Sequence, residues 1–196
     1  MGFRTEWMNH EGYVSCLPEV VVVALDMIDA LQPKSLLQIG VGNGGELQIF
    51  QRCFPDAKIV GVDSNPACGE LGLPVLIGDH WDHRWLRRAL ADEWFDVIVD
   101  FGFSNVNAWP FLRPSGTLVW VDSKSTSDIV ASLLVDEDTV LPTEEIMSVT
   151  VFPRVLIVNK RVPRVIPYMD IMVGTDSPIH STEVMIKSGA KWLARE

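Results

Sequence analysis

The chain is short of basic residues, of cysteine and of long apolar runs, and each shortage excludes something. Lys and Arg number 16 against 26 Asp and Glu, a formal net charge of −10. That balance argues against a protein whose main task is gripping nucleic-acid phosphates, because such binding runs on counterion release by basic side chains. A cationic or neutral small ligand remains compatible with it. The three cysteines, Cys16, Cys53 and Cys68, form no C-x-x-C pair and leave an odd count. They read as buried or free thiols rather than a disulfide framework, so a reducing cytoplasm is the expected location. The longest strictly apolar run, Val20 to Leu25, is too short to span a bilayer. Met1 to His10 lacks the basic start and apolar stretch of a signal peptide, and Glu6 stands where a myristoylation site wants Ser or Thr. No membrane association is expected.

What is present suffices for one domain. The 196 residues are 47% apolar and 21% charged, enough for a sizeable core and too apolar for wholesale disorder. Strand-like and helix-like segments alternate from residue 18 to about residue 140. Pro18–Leu31, Glu46–Cys53 and Asp82–Trp94 read as helices, and Val106–Leu112 as a short one limited by Pro110. Ser35–Ile39, Lys58–Val62, Val75–Ile77, Phe95–Val99 and Thr117–Val121 read as strands. Strands apolar on both faces, separated by helices, predict a parallel sheet covered on two sides. Val149–Phe152 and Val155–Asn159 flank Pro153-Arg154, a connector that only antiparallel neighbours can use. The expected architecture is α/β: a doubly wound, mostly parallel seven-stranded sheet with an antiparallel C-terminal hairpin. One domain is expected over residues 1–196, with a core of about 18–160 and a C-terminal extension, 161–196. Val165–Val173 would be a further strand and Ser181–Arg195 a closing helix. Ile166, Tyr168, Ile171, Met172, Met185 and Trp192 suggest that this extension closes a cavity or mediates self-association into a homo-oligomer.

The first chemical signal is the loop Gly40-Val41-Gly42-Asn43-Gly44-Gly45 after the first strand. Glycines at a strand-to-helix junction let backbone approach a ligand closely. Gly40, Gly42 and Gly45 satisfy G-x-G-x-x-G, which many nucleotide binders share. Asp63, with Ser64 beside it, ends the second strand 23 residues after Gly40, where an acid accepts hydrogen bonds from ribose hydroxyls. An ordinary turn-capping aspartate is the competing reading. The ligand is then NAD or S-adenosyl-L-methionine. A pyrophosphate on the helix N-terminus is disfavoured by Glu46 and by the absence of Lys or Arg from the loop, whereas a sulfonium and an ammonium tolerate acidic surroundings.

With Gly78-Asp79 after the third strand, Phe95 to Asp100 for the fourth, and Phe111-Leu112-Arg113-Pro114-Ser115-Gly116-Thr117-Leu118 leading into the fifth, the sequence resembles the class I S-adenosylmethionine-dependent methyltransferases over about residues 35–160. The antiparallel hairpin accords with that family. Phe54 to Asp63 is also similar to its macrocin-methyltransferase and cephalosporin-hydroxylase branch. That branch has an Asp-Asp-Gly-Ser-His stretch for a divalent metal. Here the run is Asp100-Phe101-Gly102-Phe103-Ser104, without the second acid or the histidine, and no metal ligands are assigned.

The resemblance implies a cofactor site of Gln38, Gly40, Gly42, Asn43, Gly44, Gly45, Asp63, Ser64, Gly78, Asp79, His80, Trp81 and Asp100. Asp79 would meet the adenine amino group, with Trp81 stacking nearby. Gln38 stands where the family has an acid that holds the methionine ammonium; it can accept a hydrogen bond but brings no charge. The five residues Asp79 to His83 hold two acids, two histidines and an indole. They offer metal donors, or else Asp82 caps the following helix and the histidines face solvent. Asp100, His80 and Asp122 are the candidates for deprotonating an acceptor, with Phe101, Phe103 and Asn105 around the same cavity. Arg84, Arg87 and Arg88 read as a solvated helix face, with an anionic partner as the other possibility. The sequence thus reads as a small-molecule methyltransferase. The alternatives are a non-catalytic member of the fold that acts by binding cofactor or partners, and an NAD-linked oxidoreductase.

Overall fold

The computed structural model describes residues 26–101, 106–121, 141–152 and 155–162. Seven strands form one sheet in the order β3-β2-β1-β4-β5-β7-β6. They are β1 (Ser35–Ile39), β2 (Lys58–Asp63), β3 (Val75–Ile77), β4 (Phe95–Phe101), β5 (Leu112–Val121), β6 (Ile146–Phe152) and β7 (Val155–Lys160). The first five are parallel, and β7 runs antiparallel between β5 and β6. The winding reverses between β1 and β4, and ligands of open α/β sheets bind in the crevice outside the carboxyl ends of such a pair.

Alternation along each strand divides the core into two layers. Leu36, Val97, Val99, Val119 and Ile157 pack with Ile28 and with Leu47, Ile49 and Phe50 of helix α1 (Gly45–Cys53). Leu37, Ile39, Ile98, Leu118 and Trp120 pack with Leu86 and Leu90 of helix α2 (His83–Leu90) and with Trp109 and Phe111. Full burial of each such side chain contributes about 1.5–3 kcal/mol. At the opposite end from the crevice, Asp96 Oδ2 accepts the backbone N–H groups of Lys34 and Ser35 at 2.8 and 2.9 Å, and its Oδ1 accepts from Arg113 at 2.9 Å. This clamp joins the start of β1 to the start of β4.

The elements differ from the sequence expectation mainly at their ends. Helix α2 stops at Leu90 rather than running to Trp94, because Ala91 takes φ 45° while its N–H bonds Arg87 O. Trp94 is therefore an exposed loop residue. Strand β4 extends to Phe101, so Asp100 lies within the strand instead of following it. Strand β5 begins at Leu112, with a register irregularity opposite Phe95 and Val97. Residues 106–111 form a 3-10 segment rather than an α-helix, with Pro110 inside it. Of the expected helix 18–31, residues 26–31 are described and helical. The expected strand at 165–173 and helix at 181–195 lie outside the described residues.

Candidate functional site

The carboxyl ends of β1, β2 and β3 bring most of the expected residues to one rim. After β1 the chain turns through Gly40, Gly42 and Gly44 with φ of 77°, 56° and 82°, values a side chain tolerates poorly. Gly40 N–H donates to Val62 O at 2.9 Å and Gly44 N–H to Val41 O at 2.9 Å, while Asn43 Oδ1 accepts from Gly45 N–H at 3.2 Å. Gly42 and Asn43 are exposed, and a side chain at Gly42 would meet no atom within 4 Å. The loop therefore presents open space to whatever binds there.

Asp63 closes this loop from β2. Its Oδ2 accepts from Val41 N–H at 2.8 Å and Gly42 N–H at 2.9 Å, and its Oδ1 from Asn65 N–H at 2.8 Å. Burial pushes the carboxyl upward, but the donors from Asn65, Gly42, Val41 and Cys68 outweigh it, and the net displacement is below the ordinary carboxylate value. Cys68, on the 3-10 segment Pro66–Leu71, donates its thiol to Gly42 O at 3.1 Å. Burial, then the neighbouring Asp63 charge and its hydrogen bond, push that thiol up, so it stays protonated and a donor. Sequence reasoning assigned Cys68 no place at the site. The available signal was Asn65-Pro66, a cap and first-turn pair that begins a helical turn and folds Cys68 back. Ser64 is exposed beside Asp63.

Gln38 is wholly buried on β1, beneath the loop. Its Nε2 donates to Gly40 O at 2.9 Å, and its Oε1 has no hydrogen-bond partner among the described residues. Glu46, in the first turn of α1, is only 2% exposed rather than facing solvent. The segment after β3 divides its side chains sharply. His80 is 3% exposed, whereas Asp79, Trp81 and His83 are exposed. Burial lowers the His80 pKa, with Asp79 and Asp63 opposing the shift. Asp79 Oδ1 accepts from Trp81 N–H at 2.9 Å, and Asn107 Nδ2 donates to Trp81 O at 3.0 Å. Asp82 caps α2 by accepting from Arg84 N–H at 2.8 Å and His83 faces solvent, as the capping alternative expects, but the burial of His80 departs from it.

Asp100 is 0% exposed and pairs in register with Ile39 and Trp120, facing the α2 layer. Phe103, Asn105 and Asp122 lie outside the described residues. Among the described residues no group of three or more His, Cys, Asp or Glu is arranged to hold a metal ion.

No family model matches the chain. An 81-residue stretch is 33% identical to 8-demethyl-8-(2-methoxy-alpha-L-rhamnosyl)-tetracenomycin-C 3'-O-methyltransferase of Streptomyces olivaceus, covering 36% of this chain and 21% of that one. Among solved structures, MycE methyltransferase from the mycinamycin biosynthetic pathway, in complex with Mg, SAH and mycinamycin VI, superposes with a TM-score of 0.54 at 25% identity. That match covers 83% of this chain and 53% of MycE. The rRNA methyltransferase AviRa of Streptomyces viridochromogenes, at 13% identity and a TM-score of 0.51, covers 77% of this chain and 87% of its own and shares the fold alone. The chain spans about a fifth of the tetracenomycin relative and about half of MycE.

Proposed function

We propose that this chain, which has the class I S-adenosylmethionine-dependent methyltransferase fold and is related to MycE, transfers the methyl group of S-adenosylmethionine to a small-molecule acceptor. The observation that carries the reading is the polar character of the loop's root. Gln38 Oε1 is a buried acceptor with no partner among the described residues, and Glu46 is buried at the α1 N-terminus. A phosphate would be repelled there, whereas an ammonium group answers an orphaned acceptor. The residues present fit the cofactor: an open glycine loop, a strand-end acid on β2, and Gly78-Asp79 beside them.

When bound, S-adenosylmethionine supplies an electrophilic methyl group on a sulfonium. The chain's own residues do the rest. Gln38 receives the ammonium end, the loop from Gly40 to Gly45 lines the middle, Asp63 with Ser64 takes the ribose hydroxyls, and Asp79 and Trp81 hold the adenine. Asp63 Oδ1 and Oδ2 already accept three backbone N–H bonds, so the acid is held in a fixed orientation and need not reorganise on binding. His80, Asp100 and Asp122 are the candidate bases for the acceptor's proton; His80 and Asp100 are both buried. The acidic balance of the chain supports a neutral or cationic acceptor over nucleic acid.

No helix among the described residues is long and apolar enough to cross a membrane. A cytoplasmic location is proposed from the cysteine usage. Self-association would fall to residues 161–196, of which Arg161 and Val162 are described. The non-catalytic reading draws support from one observation, the complete burial of Asp100 within β4. Calorimetric titration with S-adenosylmethionine, its demethylated product and NAD tests the proposal. The first two should bind and NAD should not; preference for NAD would overturn it. Binding without methyl transfer to any of a panel of hydroxyl and amine acceptors would favour the non-catalytic reading.

A further inference from the structure

Trp85 lies in the first turn of α2, where helical side chains sweep back toward the N-terminus. Its indole sits against the Cα of Gly78. A methyl group added at Gly78 would stand 2.0 Å from Cε2, 2.2 Å from Cζ2 and 2.5 Å from Nε1 of Trp85. Gly78 is not among the glycines with positive φ, so space rather than backbone conformation demands glycine there. The segment between the two residues is closed on itself. Asp82 N–H donates to Asp79 O at 3.1 Å, Leu86 N–H to Asp82 O at 2.9 Å, and the Asp82 carboxylate caps the helix. On its other side, Gly78 N–H donates to Asp63 O at 2.9 Å.

We propose that Trp85 is a positioning residue for the adenine end of the cofactor site, acting through the backbone of Gly78. The inference rests on the reading that Asp63 and Asp79 bind an adenosyl cofactor. The indole fixes how far the Gly78-Asp79 backbone stands from α2, and the Gly78–Asp63 bond passes that setting to the ribose acid. A bulky, rigid ring in close contact with a backbone resists a nearer approach.

The test titrates S-adenosylhomocysteine and its inosine counterpart, which lacks the exocyclic amino group, against four proteins: the wild type, Trp85→Leu, Gly78→Ala, and the double variant Gly78→Ala/Trp85→Ala. Gly78→Ala should weaken the adenosyl ligand by about tenfold or more, since overpacking against an indole forces the backbone away. The double variant should recover part of the affinity, because the colliding ring is gone, but not the preference for adenosine over inosine, because the ring that positions Asp79 is gone with it. Trp85→Leu should shrink the preference for adenosine over inosine several-fold, a ratio that a merely structural loss leaves unchanged. An undiminished preference for adenosine over inosine in Trp85→Leu or in the double variant would overturn the proposal. Should Gly78→Ala fail to fold, the preference ratio in Trp85→Leu decides alone. Failure of the wild type to bind either ligand would instead remove the cofactor reading itself, and this inference with it.

Discussion

Asp63 and Gly42 are joined across the mouth of the sheet: the carboxylate at the end of β2 accepts the loop N–H at 2.9 Å. The same oxygen accepts Val41 N–H at 2.8 Å, and Cys68 holds Gly42 from its carbonyl side at 3.1 Å. The acid expected to meet a ribose is thus also the clasp of the glycine loop. If it also meets the ribose as proposed, loop shape and cofactor binding depend on one side chain.

That double duty separates two variants. Asp63→Asn keeps an oxygen acceptor but sets an amide against the loop, and should weaken S-adenosylmethionine by about 1–3 kcal/mol. Asp63→Ala should add a loss of thermal stability, because the N–H groups of Val41, Gly42 and Asn65 lose their acceptor. Calorimetry with parallel melting curves checks both. Unchanged affinity in folded Asp63→Asn would remove the ribose assignment.

Gln38→Glu tests the amino-acid end. The substitution supplies the missing charge but forfeits the Nε2 donor to Gly40 O, so the melting temperature of the free protein should fall. Affinity for S-adenosylmethionine should nonetheless rise relative to that for 5'-methylthioadenosine, which lacks the ammonium. Equal changes for both ligands would mean that the side chain lies away from the amino-acid end.

Acid should weaken the fold in two stages. His80 is held below its ordinary value of 6.5, first by burial, with Asp79 and Asp63 pulling the other way. The unfolded imidazole then binds a proton that the folded one refuses, so stability is complete above about pH 6.5 and is lost as the pH falls through the lowered value. Asp63 is also lowered; its contribution is complete above the ordinary carboxylate value of 3.8 and is lost only in stronger acid. Denaturant unfolding at about pH 7.5 and about pH 5.5 should show a larger loss in the wild type than in His80→Gln. Identical losses would place the titration elsewhere.

Asp96→Ala offers a contrast far from the crevice. It strips acceptors from Lys34 and Ser35 and the partner from Arg113, so stability should drop by about 1–3 kcal/mol. Affinity for S-adenosylhomocysteine should stay at the wild-type level in the folded protein. A parallel loss of affinity would tie the base of β1 to the site at its other end.

Local patterns in the sequence by themselves determined the parallel sheet, the hairpin, the glycine loop at a strand-to-helix junction and a cap at Asp82. Each rests on neighbours within a few residues: apolar runs such as Val97-Ile98-Val99, a two-residue connector, or a carboxylate two places before the N–H it accepts. Contacts between distant segments decided the rest. His80 and His83 are alike in sequence, yet the fold buries one and exposes the other. Asp100 is expected just after β4, but the strand runs two residues longer and carries it between Ile39 and Trp120. Trp85 is one apolar position in the helical period of Asp82–Trp94; only the approach of α2 to β3 set it on Gly78. Periodicity tells which way a side chain faces, but what it meets there depends on residues brought in from elsewhere in the chain.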